Sequence, residues 1–228
     1  MAVDGGWVNI RAGELDGDGL KRRKSSTMRG GKKFSAVLGE DHASQVLEEA
    51  TGVAWRLFSQ DDAQHKPVGA VTLTVVPLVD GGRTTSTRDG QIQLSADFLA
   101  GNWPRPDEAR MAVTGLLFHE VAQVWQYDGE GHASTALLDG IDDLVRLRGG
   151  YQPEDWVQPG QGGRWDEKGY GVTARFLEHL EKQRPGLVAA MNAGLKTQVP
   201  NGGIDLFKRI TGKSVAELWA QYKAAYVA

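Results

Sequence analysis

The chain is 228 residues long, 40% hydrophobic and 24% charged, a balance that supports one large core without a disulfide or a structural metal. Its 26 basic and 29 acidic residues leave a formal net charge of −3, no whole-molecule field for nucleic acid or an anionic membrane, and zero cysteines remove thiolate zinc sites and cysteine nucleophiles. No apolar run approaches a membrane span and Met1 to Arg11 lacks the apolar stretch of a signal peptide, so the sequence predicts no membrane and a cytoplasmic location, or a secreted one if a leader has been removed.

In chain order, Asp16-Gly17-Asp18-Gly19 runs into Lys21-Arg22-Arg23-Lys24 and then Arg29, Lys32 and Lys33. This predicts a basic, partly mobile arm over residues 1–33, either a solvated loop or an anion-binding patch, ahead of a single domain over 34–228. From Ala43 to about Ser59, Val46, Leu47, Ala50, Val53, Ala54, Leu57 and Phe58 recur at three- and four-residue steps, the mark of an amphipathic helix. Val71, Leu73 and Val75 alternate with threonines, and Ile92 and Leu94 with glutamines, predicting two strands on either side of a turn at Gly81-Gly82. After Pro104 and Pro106 helix dominates: about 107–127, 134–148, 172–183, 186–195, 204–210 and 214–226. A small sheet followed by a run of helices reads as α+β, mostly helical. The long aromatic loop 151–166, with Tyr151, Trp156 and Trp165, exceeds what a connector needs.

Chemistry concentrates in Phe118-His119-Glu120-Val121-Ala122-Gln123-Val124-Trp125. Helical residues four apart share a face, so His119 and Gln123 point at one spot with Glu120 beside them, the layout of H-E-x-x-H. In that motif two histidines hold zinc and the glutamate takes a proton from water. Here the second histidine is Gln123, whose neutral amide is outside the usual zinc ligand set. A second helix carries Asp139, Asp142 and Asp143. Asp139 and Asp143 share a face and meet the first helix if the two pack antiparallel. In a thermolysin-like layout they stand as third zinc ligand and as the carboxylate that steadies the ligand histidine. Alternatively the three aspartates form a solvated acidic face answered by Arg146 and Arg148.

These segments together resemble the plant basic secretory protein family, a peptidase family of plants and bacteria. The resemblance runs from about Gly30 to the end. It rests on Ala54-Trp55-Arg56-Leu57-Phe58, the motif helix with Val124-Trp125-Gln126, Asp139-Gly140-Ile141-Asp142-Asp143-Leu144-Val145-Arg146-Leu147, the loop Trp156 to Asp166, Tyr170-Gly171-Val172-Thr173-Ala174-Arg175-Phe176-Leu177 and Leu218-Trp219 with Tyr222-Lys223. It implies a zincin-like α+β domain with its small sheet toward the N-terminus and, for members with an intact motif, zinc-dependent peptidase activity. Family members typically carry His at Gln123, Glu at Asp139 and Ala at Asp142, so two of three implied zinc ligands differ here.

The expectation is therefore a family member with a degenerate zinc site and no cofactor. Its cleft is reused for metal-independent acid/base chemistry on a small molecule, a cyclisation or isomerisation suited to specialised metabolism, or for binding. Glu120, His119, Asp139 and Tyr170 are the catalytic candidates, Tyr170 as donor to an oxyanion. Trp125, Tyr151, Trp156 and Trp165 are candidates for the walls of a pocket for a small molecule or peptide, with Asp143 and Gln123 supporting. The alternative is a zinc metallopeptidase with His119, Gln123 and Asp139 as ligands. His132 is a possible replacement ligand, and a non-catalytic module that grips peptide or polysaccharide through the aromatic loop is the third reading.

Overall fold

The structure, a computed structural model, describes residues 8–12, 14–16, 19–21, 32–61, 63, 65–76, 83–101 and 103–226. The basic run over 22–31 and the Gly81-Gly82 turn lie outside the described residues.

Within the first 33 residues, strand β1 (Val8–Ala12) and a small hairpin of β2 (Glu14–Asp16) with β3 (Gly19–Lys21) precede helix α1 (Lys32–Val37). Helix α2 (Glu40–Phe58) buries Ala43, Val46, Leu47, Ala50, Ala54 and Phe58 and stops at Ser59, which takes the left-handed conformation and donates its N–H back to the last turn. The sheet then forms from β4 (Val71–Val76), β5 (Thr85–Arg88) and β6 (Gln91–Ser95).

Its order is β1-β4-β6-β5. Strand β1 pairs antiparallel with β4, Val8 opposite Val75, and β4 runs parallel to β6, Thr72 opposite Gln91. The two apolar strands anticipated from sequence are thus direct parallel neighbours. The hairpin partner of β6 is β5, which leaves β5 at one edge of the sheet, antiparallel with Thr87 opposite Ile92. Its sequence Thr-Ser-Thr-Arg has no apolar alternation, which is why periodicity missed it.

After the short α3 (Ala96–Leu99) come α4 (Pro106–Trp125), α5 (Thr135–Gly149), α6 (Gly171–Gln183), α7 (Leu187–Gly194), α8 (Asp205–Thr211) and α9 (Val215–Ala224). The molecule is α+β and mostly helical. Among the described residues no helix is long and apolar enough to cross a membrane. One apolar core runs from Phe34 to Tyr222 and takes in the inner faces of α2, β4, β6, α4, α5 and α6.

Helix α4 is the axis of this core. Pro106 in its first turn needs no N–H partner, and Asp107 and Glu108 complement the positive end of the helix. From Val113 to Trp125 the helix buries residues on nearly every side. Helix α5 begins at Ser134, whose Oγ accepts the Leu137 N–H, and ends at Gly150 in the left-handed conformation. Gln126 donates to the carbonyl of Leu138, His119 meets Asp143, and Gly115 lies against Arg146, so α4 and α5 run antiparallel. Two glycines set the spacing. A Cβ at Gly115 would fall 2.5 Å from the Tyr151 carbonyl oxygen, and one at Gly140 would fall 2.3 Å from Thr173 of α6.

Candidate functional site

Helices α4 and α5, edge strand β5 and the start of α6 meet around His119. The imidazole is anchored on one side, its Nδ1 lying 2.9 Å from Asp143 Oδ1. Its Nε2 faces Asp142 Oδ2 at 4.0 Å. One donor atom each from His119, Asp139 and Asp142 lie within 4.8 Å of one another. The aspartates are therefore no solvated acidic face. Arg146 donates to the Tyr151 carbonyl while the charge of Asp143 opposes the effect of its burial, and Arg148 is exposed.

Burial and charge pull against each other here. Burial disfavours the imidazolium, yet the hydrogen bond with Asp143 and the charges of Asp142, Asp143 and Glu120 outweigh it and push His119 up to about 9. Burial likewise holds Asp139 above the usual carboxylate range, His119 opposes it, and Asp143 and Glu120 add to the rise. Asp142 is fully buried and shifted upward by burial more strongly, again with His119 opposing. Neither of its oxygens meets a hydrogen-bond partner, and an orphaned polar atom of this kind in an interior demands an explanation.

Glu120 is treated differently. It is buried, and each carboxylate oxygen accepts a hydroxyl from β5: Thr85 at 2.5 Å and Thr87 at 2.6 Å. Sequence reasoning did not find these two threonines. The signal available was Thr85 and Thr87 spaced two apart, which puts both on one face of a strand, but nothing local links them to a helix residue more than thirty positions away.

Tyr170 stands at the head of α6 in the left-handed conformation, φ 45°. Burial and then the negative charge of Asp139 raise its phenol, so the hydroxyl remains a donor. Gln123 lines a neighbouring cavity of about 630 Å³ together with Lys66, Val68, Thr87, Arg88 and Leu138. Lys66 donates to the Gln126 carbonyl at 2.9 Å, and partial burial lowers its ammonium against the opposing charges of Asp128, Asp142 and Asp89.

The four aromatic candidates do not line that cavity. Trp125 is buried in the core, its Nε1 donating to Thr51 and its ring edge-on to Trp55. Tyr151 packs on Phe118, and Trp156 fills the space beside Gly171 between Arg146 and Arg175. Trp165 packs edge-on to Phe207. All four pack in or against the apolar core, and Tyr151 also lines a second cavity of about 490 Å³ with Phe118 and Arg148. His132 is exposed, bonded to the Glu130 carbonyl and to Gln198, and is no part of the cluster.

A protein-family model described as the peptidase of plants and bacteria, BSP, matches residues 20–222. A basic secretory protease of Boswellia serrata is 37% identical over 62 residues, which are 27% of this chain and 66% of the relative. The chain thus spans just under two thirds of that relative's length. No solved structure matches it.

Proposed function

Because the chain belongs to the BSP family of plant and bacterial peptidases, we propose that it hydrolyses peptide bonds in the cleft beside His119, with Glu120 as proton acceptor. The observation that carries this is the double anchoring of Glu120 by Thr85 and Thr87. Each carboxylate oxygen has two lone-pair sites and gives one to a threonine, so each keeps one for a substrate proton. The anchoring also fixes the side chain at no cost during reaction, the condition for efficient proton transfer. Glu120 takes a proton from water as its oxygen adds to the carbonyl carbon. It then returns that proton to the amide nitrogen as the C–N bond breaks. The Tyr170 hydroxyl, kept protonated, donates to the developing oxyanion.

The donor chemistry fits the family's divalent cation. His119, with Nδ1 tied to Asp143, and Asp139 would hold it, and both oxygens of the buried Asp142 beside them lack a hydrogen-bond partner. When bound, such a cation supplies Lewis-acid polarisation and acidifies water.

A second reading keeps the same residues without a metal. His119, pushed up to about 9 and flanked by carboxylates, is a stored proton suited to acid/base chemistry on a small molecule such as a cyclisation or isomerisation. The amide of Gln123 at the usual second histidine favours it.

The deciding experiment is cleavage of an unfolded protein substrate with and without chelator, by the wild type and Glu120→Gln. The peptidase reading expects chelator-sensitive cleavage that falls about 10²–10⁴-fold in the variant. Cleavage that is absent, or indifferent to Glu120, sinks it.

A further inference from the structure

We infer that Asp142 is a metal ligand: the Nε2 of His119, Asp139 and Asp142 form a site for a divalent first-row cation, and Gln123 stands outside it. This deepens the hydrolytic reading and rests on it only for purpose, since the geometry stands without turnover.

The imidazole comes first. With Nδ1 committed to Asp143 at 2.9 Å, Nε2 is left facing Asp142, as an imidazolium N–H in the metal-free protein and as a ligand lone pair once a cation displaces that proton. A lone pair opposite a carboxylate is repulsive unless a cation or a proton lies between them. The 4.0 Å from Nε2 to Asp142 Oδ2 is too long for a hydrogen bond. It lies within the reach of two atoms that each bind one cation at about 2.0–2.2 Å.

Asp142 supplies the second, separate observation. Its side chain is 0% exposed and both oxygens are unpartnered, although it sits in a helix among residues that could carry an apolar side chain. A carboxylate placed there without hydrogen bonds is costly and persists where something positive answers it, the His119 imidazolium in the metal-free protein and a cation once the ring is neutral. Asp139 and Asp142, three apart on α5, present both carboxylates to the same point of α4. The motif's own second position offers only an amide that faces the cavity beyond.

One nitrogen and two carboxylate oxygens make a harder donor set than paired histidines. Carboxylates suit Mn²⁺, whereas imidazole-rich sets suit zinc. This site is therefore expected to hold Mn²⁺ measurably, with zinc competing for the same place.

The test is a Mn²⁺ titration of the chelator-treated full chain, followed by the loss of the free-ion electron paramagnetic resonance signal and repeated with zinc as competitor. The expected result is one Mn²⁺ per chain, displaced by zinc, with affinity at least about tenfold weaker in Asp142→Asn and in Asp142→Ala and unchanged in Gln123→Ala. Circular dichroism and thermal melts establish that each variant folds, and Mn²⁺ should raise the melting temperature of the wild type but not of the Asp142 variants. No binding of either metal, binding indifferent to Asp142, or binding lost in Gln123→Ala would overturn the inference. If Asp142 controls binding but no peptide is cleaved, the site stands and the peptidase reading fails. If cleavage requires Glu120 but binding ignores Asp142, the reverse holds.

Discussion

Two regions of this molecule are rich in the residues that usually signal function, and they differ in how their polar atoms are treated. The loop 151–166 and its surroundings are closed apart from Gln152 Oε1, which is buried without a partner. Trp165, Phe176, Phe207, Trp219 and Tyr222 pack ring on ring, the Tyr222 hydroxyl accepts the Gly160 N–H at 2.7 Å, Lys223 donates to the Gly162 carbonyl at 2.7 Å, and Thr173 donates to the Trp165 carbonyl at 2.6 Å. The cluster of α4, α5 and β5 is open. Asp142 is buried with two unpartnered oxygens, and His119 is surrounded by carboxylates. Aromatic richness marks a scaffold here, and an unpartnered carboxylate within a cluster of titratable groups marks a site.

The comparison is most easily broken by Phe207→Ala. If the aromatic region is structural, removing this fully buried ring costs about 3–5 kcal/mol and lowers the thermal midpoint by about 6–20 °C. A small shift would show that the aromatic packing holds little. Within the site, Thr87→Val should destabilise by about 1.5–3 kcal/mol in a denaturant titration, because Glu120 loses one of its two hydroxyl donors. Asp142→Ala should do the opposite. Since burial raises Asp142 and penalises its charge, deleting it should stabilise the chelator-treated protein at neutral pH by about 1–3 kcal/mol, read as a higher melting temperature. Opposite signs for neighbouring substitutions would separate a satisfied carboxylate from an orphaned one. At the small end, His132→Ala should change stability by less than about 0.5 kcal/mol and leave Mn²⁺ affinity untouched, as an exposed loop histidine would.

Much of the site was legible locally. The spacing of His119, Glu120, Asp139 and Asp143 placed them on helix faces, and the antiparallel pairing that joins those faces was anticipated from the short connection. Asp142 was visible as a departure from the family, yet its neighbours allowed a solvated face as readily as a buried ligand. Thr85 and Thr87 carry only their spacing of two, which nothing local ties to Glu120, and a strand of Thr-Ser-Thr-Arg shows no apolar rhythm. The aromatic loop allows two readings for the complementary reason: ring content is equal whether a tryptophan walls a cleft or fills a core.

Local signals in the chain are enough for the α+β class, most helices from α2 to α9 within a few residues, and which side chains share a helix face. These follow from periods of 3.6 and 2 and from caps such as Ser134 and Ser214, all set within a turn or two of chain. Only the tertiary structure decided that β5 forms the edge that clamps Glu120, that Trp125 is core, and that Asp142 is sealed from water. Burial and long-range partners depend on which elements come to lie together, and desolvation, the energy that gives Asp142 and His119 their character, exists only once those elements have closed around them.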